Sequence, residues 1–361
     1  MKVTTAHMGN MYIALSALFE RFGLEYVVPP AITEKTYEIG FDLAPEQVCL
    51  PFKVCLGNYV EAISKGADTI IMAGGNGPCR FGFYGMLQEK ILKDAGYGAK
   101  MIILNQDNIM EVLNDLSKVT GKSNLKLLSY FYFAWKILRL VEENDKLAAY
   151  FRAYSSEKNK VEKLHREIEL EILNAKSFSA ARKLMKILKA RYKTEVPLDL
   201  NPAEILKVGL LGEIYMVLDG RVNMNIEKIL GNLNVWVKRT IYISEWILRL
   251  TGLNFFTKNS QSALKKIAKP YLASDVGGKG IQTIASAITF AKEKADGLVH
   301  ITPFSCMPEL VATTILPKVC SDYKIPCLYL TFDEHTSEAA VITRVEAYVD
   351  MLRMSGENAQ K

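Results

Sequence analysis

Short apolar runs alternate with longer stretches of helical periodicity, and this alternation limits the fold more than any other feature of the chain. LEYVVPP from Leu24, ADTIIMAGG from Ala67 and AKMIILN from Ala99 are nearly continuous in apolar residues. Runs of that length between helical segments suit strands of a parallel sheet covered on both faces. Catalytic loops of such sheets lie at the carboxyl ends of the strands, where Gly74, Gly75 and Gly77 stand. The pattern changes from Asn114 to about Pro197 into Lys- and Glu-rich helical periodicity without strand candidates. Alternation resumes with LKVGLLGEIYMVLD from Leu206, passes through a helical stretch around Trp246, and returns with LVHITPF from Leu298 and IPCLYLTFDE from Ile325. Ala339 to Met354 reads as a terminal amphipathic helix. The expected fold is therefore α/β. It comprises two Rossmann-like (flavodoxin-like) parallel-sheet domains, residues 1–115 and 201–361, with a mainly helical connector or insertion at 116–200.

A chain of 361 residues with 49% hydrophobic and 23% charged residues can bury enough apolar surface to fold without disulfide staples. The first residues carry no sustained apolar core, and Lys136 and Arg139 interrupt the apolar stretch from Phe131 to Leu140. A cytoplasmic protein without membrane association is expected. The formal charge of +6 is local, because Lys136 to Lys193 holds 15 Lys and Arg against 8 Asp and Glu. Lacking interleaved aromatic residues, that segment reads as a solvated helical face, and no nucleic-acid partner is expected.

Six cysteines scattered through a chain of a reducing compartment do not form a disulfide framework, so metal binding or catalysis is the sharper question. Cys49 in CLPF, Cys79 in GNGPCRFG and Cys306 in PFSCMPE each lie beside proline and near a helix start. Backbone N–H groups there stabilise thiolate charge, while Pro51, Pro78 and Pro308 fix the direction of the turn. Cys55, Cys320 and Cys327 suit small buried hydrophobes, although Cys55, six residues after Cys49, is also placed as a fourth-ligand candidate. No CxxC pair is present, and the spacing by itself leaves cluster binding and structural burial both open.

Taken with their neighbours, CLPFKVCLGNYVEAISKGADTI, GNGPCRFGFYG, SDVGGKGIQTIASAI, ITPFSCMPELVATTILPKV and LTFDEHTSEAAVITRVEAYVDML resemble the D-component family of 2-hydroxyacyl-CoA dehydratases and the related double-cubane cluster proteins. The resemblance implies that Cys49, Cys79 and Cys306 bind a [4Fe–4S] cluster with one open iron, or half of a bridged double-cubane cluster completed by a second three-cysteine site. It further implies a separate ATP-hydrolysing activator that supplies low-potential electrons under anaerobic conditions. The chain would form a homodimer or pair with a related subunit. Its substrate would be an acyl-CoA or another small molecule.

Several neighbours gain candidate roles. Gly277, Gly278 and Lys279 of VGGKG form either an anion- or cluster-facing nest or a tight turn. Arg80 either reaches cluster sulfide or substrate, or pairs with Glu309 or another loop acid. Glu334 and His335 in DEHTSE follow a strand, where Glu334 either lines a site or caps the next helix. His335 stands where the family resemblance leads one to expect glutamine, which makes proton transfer there a possibility. The chain has no GxxxxGK[ST] motif, so ATP hydrolysis falls to another protein. The expected function is iron–sulfur redox chemistry driving dehydration or reduction, against a non-catalytic electron carrier or scaffold and a cluster-free α/β protein.

Overall fold

The structure is a computed structural model that describes residues 1–75, 77–105, 108–250 and 260–359. These residues fall into two compact units, Met1–Arg139 with Ile243–Phe256, and Leu140–Tyr242 with Thr257–Lys361. In the first, β1 (Lys2–Thr4), α1 (Met11–Phe22) and β2 (Glu25–Tyr26) are followed by α2 (Glu34–Leu43) and α3 (Leu50–Ser64). Then come β3 (Thr69–Gly74), α4 (Phe81–Asp94), β4 (Lys100–Asn105) and α5 (Ile109–Thr120). A long α6 (Asn124–Tyr154) leads to α7 (Lys158–Leu173) and α8 (Phe178–Glu195).

The second sheet begins with β5 (Leu206–Gly212), α9 (Ile214–Leu218), α10 (Ile226–Asn232) and β6 (Val235–Arg239). After α11 (Ile243–Leu250) come α12 (Gln261–Ala268), α13 (Gly280–Lys292) and β7 (Gly297–Pro303). The chain closes with α14 (Met307–Tyr323), β8 (Cys327–Phe332) and α15 (Glu338–Ala359). The fold is α/β with two four-stranded sheets, every strand pair parallel, in the orders β2-β1-β3-β4 and β6-β5-β7-β8.

The two sheets repeat one topology. In each, the chain goes outward from its first strand to one side and then crosses back to the other, so the strand order reverses between β1 and β3 and again between β5 and β7. Ligands of open α/β sheets bind beyond the carboxyl ends of the strands at such a reversal. Apolar residues explain why the strands are central: Ile70 and Val3 are fully buried in one sheet, as are Leu298, Val299 and Ile301 in the other. Each such side chain contributes about 1.5–3 kcal/mol by leaving water. Phe19, Phe22, Leu113 and Leu116 pack on the first sheet, and Ile284, Ile288, Leu316 and Val319 on the second.

Sequence periodicity missed two strands. β1 has three residues and β6 has five, with Lys238 and Arg239 at its end. Both are shorter or more polar than the apolar runs that mark their neighbours. LKVGLLGEIYMVLD proves to be two elements, β5 and α9, separated at Glu213. Among the described residues no helix is long and apolar enough to cross a membrane.

Candidate functional site

Cys49 is the N-cap of α3 and Cys306 the N-cap of α14, each with proline in the first turn of its helix. Cys79 precedes Arg80, the N-cap of α4. Cys79 therefore follows β3 and Cys306 follows β7, the corresponding strands of the two sheets. All three thiols stand at helix N-termini, whose unpaired N–H groups favour negative charge. Cys49 and Cys306 are buried, and Cys79 is partly exposed.

In the first unit, Tyr84 joins the two cysteine loops. Its hydroxyl lies 2.6 Å from the Cys49 sulfur, and its ring packs edge-on against Phe52 at 4.8 Å. Burial first, then the charges of Cys49 and Cys79 and the hydrogen bond with Cys49, raise the Tyr84 phenol far above its ordinary range. Both thiols thus act electrostatically on one hydroxyl. Arg80 donates from Nη1 to the Gln47 carbonyl at 2.9 Å, tying the Cys79 loop to the segment before Cys49. Glu309, the partner considered for Arg80, is fully buried and engaged elsewhere, with His300 Nε2 at 2.9 Å and Thr283 Oγ1 at 3.0 Å. Cys55 is buried within α3, close enough to fully buried Tyr59 for its charge to raise that phenol in addition to burial.

In the second unit, VGGKG ends at Lys279, the N-cap of α13. Gly277 and Gly278 have φ of 77° and 51°, conformations that favour glycine and turn the backbone into the helix. A Cβ on Gly280 would stand 2.8 Å from the Pro308 carbonyl oxygen, so the starts of α13 and α14 are in close contact beside Cys306. By topology, the VGGKG helix start is the counterpart of the Cys49 helix start.

Glu213, which the sequence reading did not single out, follows β5 and caps α9 by accepting from the Met216 amide at 3.0 Å. Burial raises its carboxyl to about 7; the Met216 and Tyr215 amides and Lys279 act downward, and Glu309 adds to the rise. Nothing local in GEIYM marks the Glu213 carboxyl as shifted, because its burial, the largest cause, is set by the tertiary structure. His300, fully buried on β7, has no hydrogen-bond partner at Nδ1 among the described residues.

Glu334 and His335 are exposed in the loop after β8. Asp333 organises that loop by accepting from the His335 amide at 3.0 Å and from Thr336 Oγ1 at 2.8 Å. The side-chain oxygen that accepts from the first turn of α15 belongs to Ser337, bonded to the Ala340 amide at 3.2 Å. Arg344 donates from Nη2 to the Tyr329 carbonyl at 2.6 Å and fastens α15 to β8.

Among the described residues, the one set of three His, Cys, Asp or Glu side chains whose ligand atoms lie within 4.8 Å of one another is Asp145, His165 and Glu169. Arg239 already occupies Asp145 at 3.1 Å and reaches Glu227 at 3.5 Å, so this is an ion-pair network with its own positive charge. Burial opposes protonation of His165, but its hydrogen bond and charge contact with Asp145 hold the imidazole above its usual value.

Comparison with protein families adds the deciding observation: the family described as 2-hydroxyglutaryl-CoA dehydratase, D-component, matches residues 135–352. The chain belongs to that family. The matched region of this D-component family member contains Cys306, VGGKG and DEHTSE, whereas Cys49, Cys79 and Arg80 precede it. No curated protein matches the chain. For an iron–sulfur cluster, the donor chemistry fits: thiols at helix starts, one of them beside the Tyr84 hydroxyl, are the soft ligands and the hydrogen-bond donor such a group uses.

Proposed function

We propose that Cys49, Cys79 and Cys306 supply the thiolates of a [4Fe–4S] cluster, and that the chain is a dehydratase-like component energised by a separate ATP-hydrolysing activator. The observation that carries this reading is the setting of all three thiols at helix starts, Cys79 and Cys306 beyond corresponding strands of the two sheets, with Cys49 and Cys79 acting on Tyr84. Three protein ligands leave one iron open, which supplies Lewis-acid and one-electron chemistry toward an acyl-CoA or another small molecule. Gly277, Gly278 and Lys279 would present N–H groups and a positive charge toward such an anionic group. Glu213, held at about 7, has the acidity of a proton donor or acceptor at neutral pH.

Arg80 serves this site by positioning the two cysteine loops. Glu334 and His335 would face substrate from the loop beyond β8. A homodimer or a heterodimer with a related subunit would bring two such centres together, as a bridged double cubane requires. The protein would be cytoplasmic and would work anaerobically.

The test is anaerobic iron quantitation with EPR, before and after addition of an activator ATPase and ATP. Brown protein with about four irons per chain and a new reduced signal after ATP is the expected result. Cys49→Ser, Cys79→Ser and Cys306→Ser should each lose iron, whereas Cys320→Ser and Cys327→Ser should keep it. Colourless protein after reconstitution with iron and sulfide, or equal iron in all five variants, would overturn the assignment.

A further inference from the structure

Cys320 and Cys327 were expected to be independent small hydrophobes, but they face each other. Cys320 lies in the last turn of α14, and Cys327 opens β8, the edge strand of its sheet. The chain reverses between them at Lys324, which has φ of 52°, and the Ile325 amide closes the helix end on the Cys320 carbonyl at 3.0 Å. This reversal places the two thiols close enough for each to shift the acidity of the other. Tyr329 Oη lies 3.9 Å from the Cys320 sulfur, and burial first, then the charges of Cys327 and Cys320, raise its phenol. Both residues are half-buried.

We propose that Cys320 and Cys327 form a redox-active dithiol that closes to an intramolecular disulfide when it meets a low-molecular-weight disulfide. The pair is separate from the proposed cluster ligand, since Cys320 lies 14 residues beyond Cys306 on the same helix, about 21 Å along its axis.

The environment assigns the order of events. The hydrogen bond from Cys327, opposed by burial and aided by Tyr329, lowers Cys320 to about 7, while the same hydrogen bond and burial raise Cys327. Cys320 is therefore the attacking thiolate and Cys327 the resolving thiol. Cys320, its proton already lost to solvent, attacks one sulfur of the small disulfide. That S–S bond breaks, and one thiolate leaves and takes up a proton. Cys327 then loses its proton to solvent and attacks the Cys320 sulfur, expelling the second thiolate, which is protonated in turn. Two cysteines are oxidised by two electrons, and one small disulfide is reduced to two thiols.

The test treats the full chain, purified anaerobically, with oxidised glutathione, alkylates the remaining thiols under denaturing conditions and maps tryptic peptides. The expected product is Val319–Lys324 linked to Ile325–Arg344 with the loss of two hydrogens, reversed by dithiothreitol. Cys327→Ser should retain glutathione on Cys320, whereas Cys320→Ser should leave Cys327 alkylatable. The proposal fails if both thiols of the wild-type chain alkylate after oxidation. It also fails if folded Cys327→Ser, checked by its melting transition, takes up no glutathione at Cys320, or if Cys320→Ser captures it on Cys327.

Discussion

Replacing Glu213 by Gln tests the titrating carboxyl beyond β5. Gln keeps an oxygen that can accept from the Met216 amide, so the cap of α9 is preserved while the titration is removed. The wild-type carboxyl moves from an ordinary value of 4.5 to about 7 on folding. Below about 4.5 both states hold the proton. Between 4.5 and 7 the folded state alone keeps it, so stability falls as pH rises, and above about 7 the loss is complete. The difference corresponds to about 3 kcal/mol, an upper bound because Glu213 is half-buried and water screens part of the interaction.

Urea unfolding of the iron-free wild type and Glu213→Gln, followed by tryptophan fluorescence at pH 5, 6, 7 and 8, measures this difference. The two midpoints should lie nearest at pH 5, where most of the loss is still to come. They should separate in favour of Gln as pH rises, by up to about 1 M urea for a slope of about 3 kcal/mol per M. Parallel profiles for the two proteins would show that Glu213 does not titrate differently on folding and would refute the raised carboxyl.

Three further outcomes follow from packing and hydrogen bonding. Ala at Gly40 or Gly57 would drive a Cβ into the Lys53 or Thr36 carbonyl where α2 crosses α3; each should cost about 1–3 kcal/mol or more in thermal or urea unfolding, and wild-type stability would refute the close crossing. Tyr84→Phe should retain iron, because the ring packing on Phe52 survives, but lose the hydroxyl beside Cys49. A donor worth about 1 kcal/mol more to the reduced state would then be missing, so EPR redox titration should find the potential lower by on the order of 40 mV, and an unchanged or raised potential would contradict the role. Because Asp145 raises His165 despite burial, His165→Gln should lose stability relative to wild type below about pH 6.5, with the deficit shrinking as pH rises through the folded-state value; urea midpoints that differ equally at pH 5.5 and 8.5 would exclude that coupling.

The α/β class was legible in the chain because the apolar runs at Ala67 and Leu298 are strands buried on both faces and the run at Ala99 is a half-buried edge strand, and such burial leaves a local compositional mark. Helix starts at Cys49 and Cys306 were legible for a similarly local reason: proline one or two residues on lacks the N–H that a helix start leaves unpaired. What depends on distant partners was not. β1 exists because Val3 and Thr4 pair with Thr69 and Ile70, a contact across more than sixty residues that three residues of sequence cannot announce. Glu213 owes its raised pKa chiefly to burial, Arg80 spends a hydrogen bond on Gln47, and Cys320 comes near Cys327 only because α14 reverses into an edge strand. Residue order alone determined which segments fold and where helices begin, since propensity and proline act locally. Tertiary structure decided which side chains share a low-dielectric neighbourhood, because charge and hydrogen-bond energies depend on distance through space.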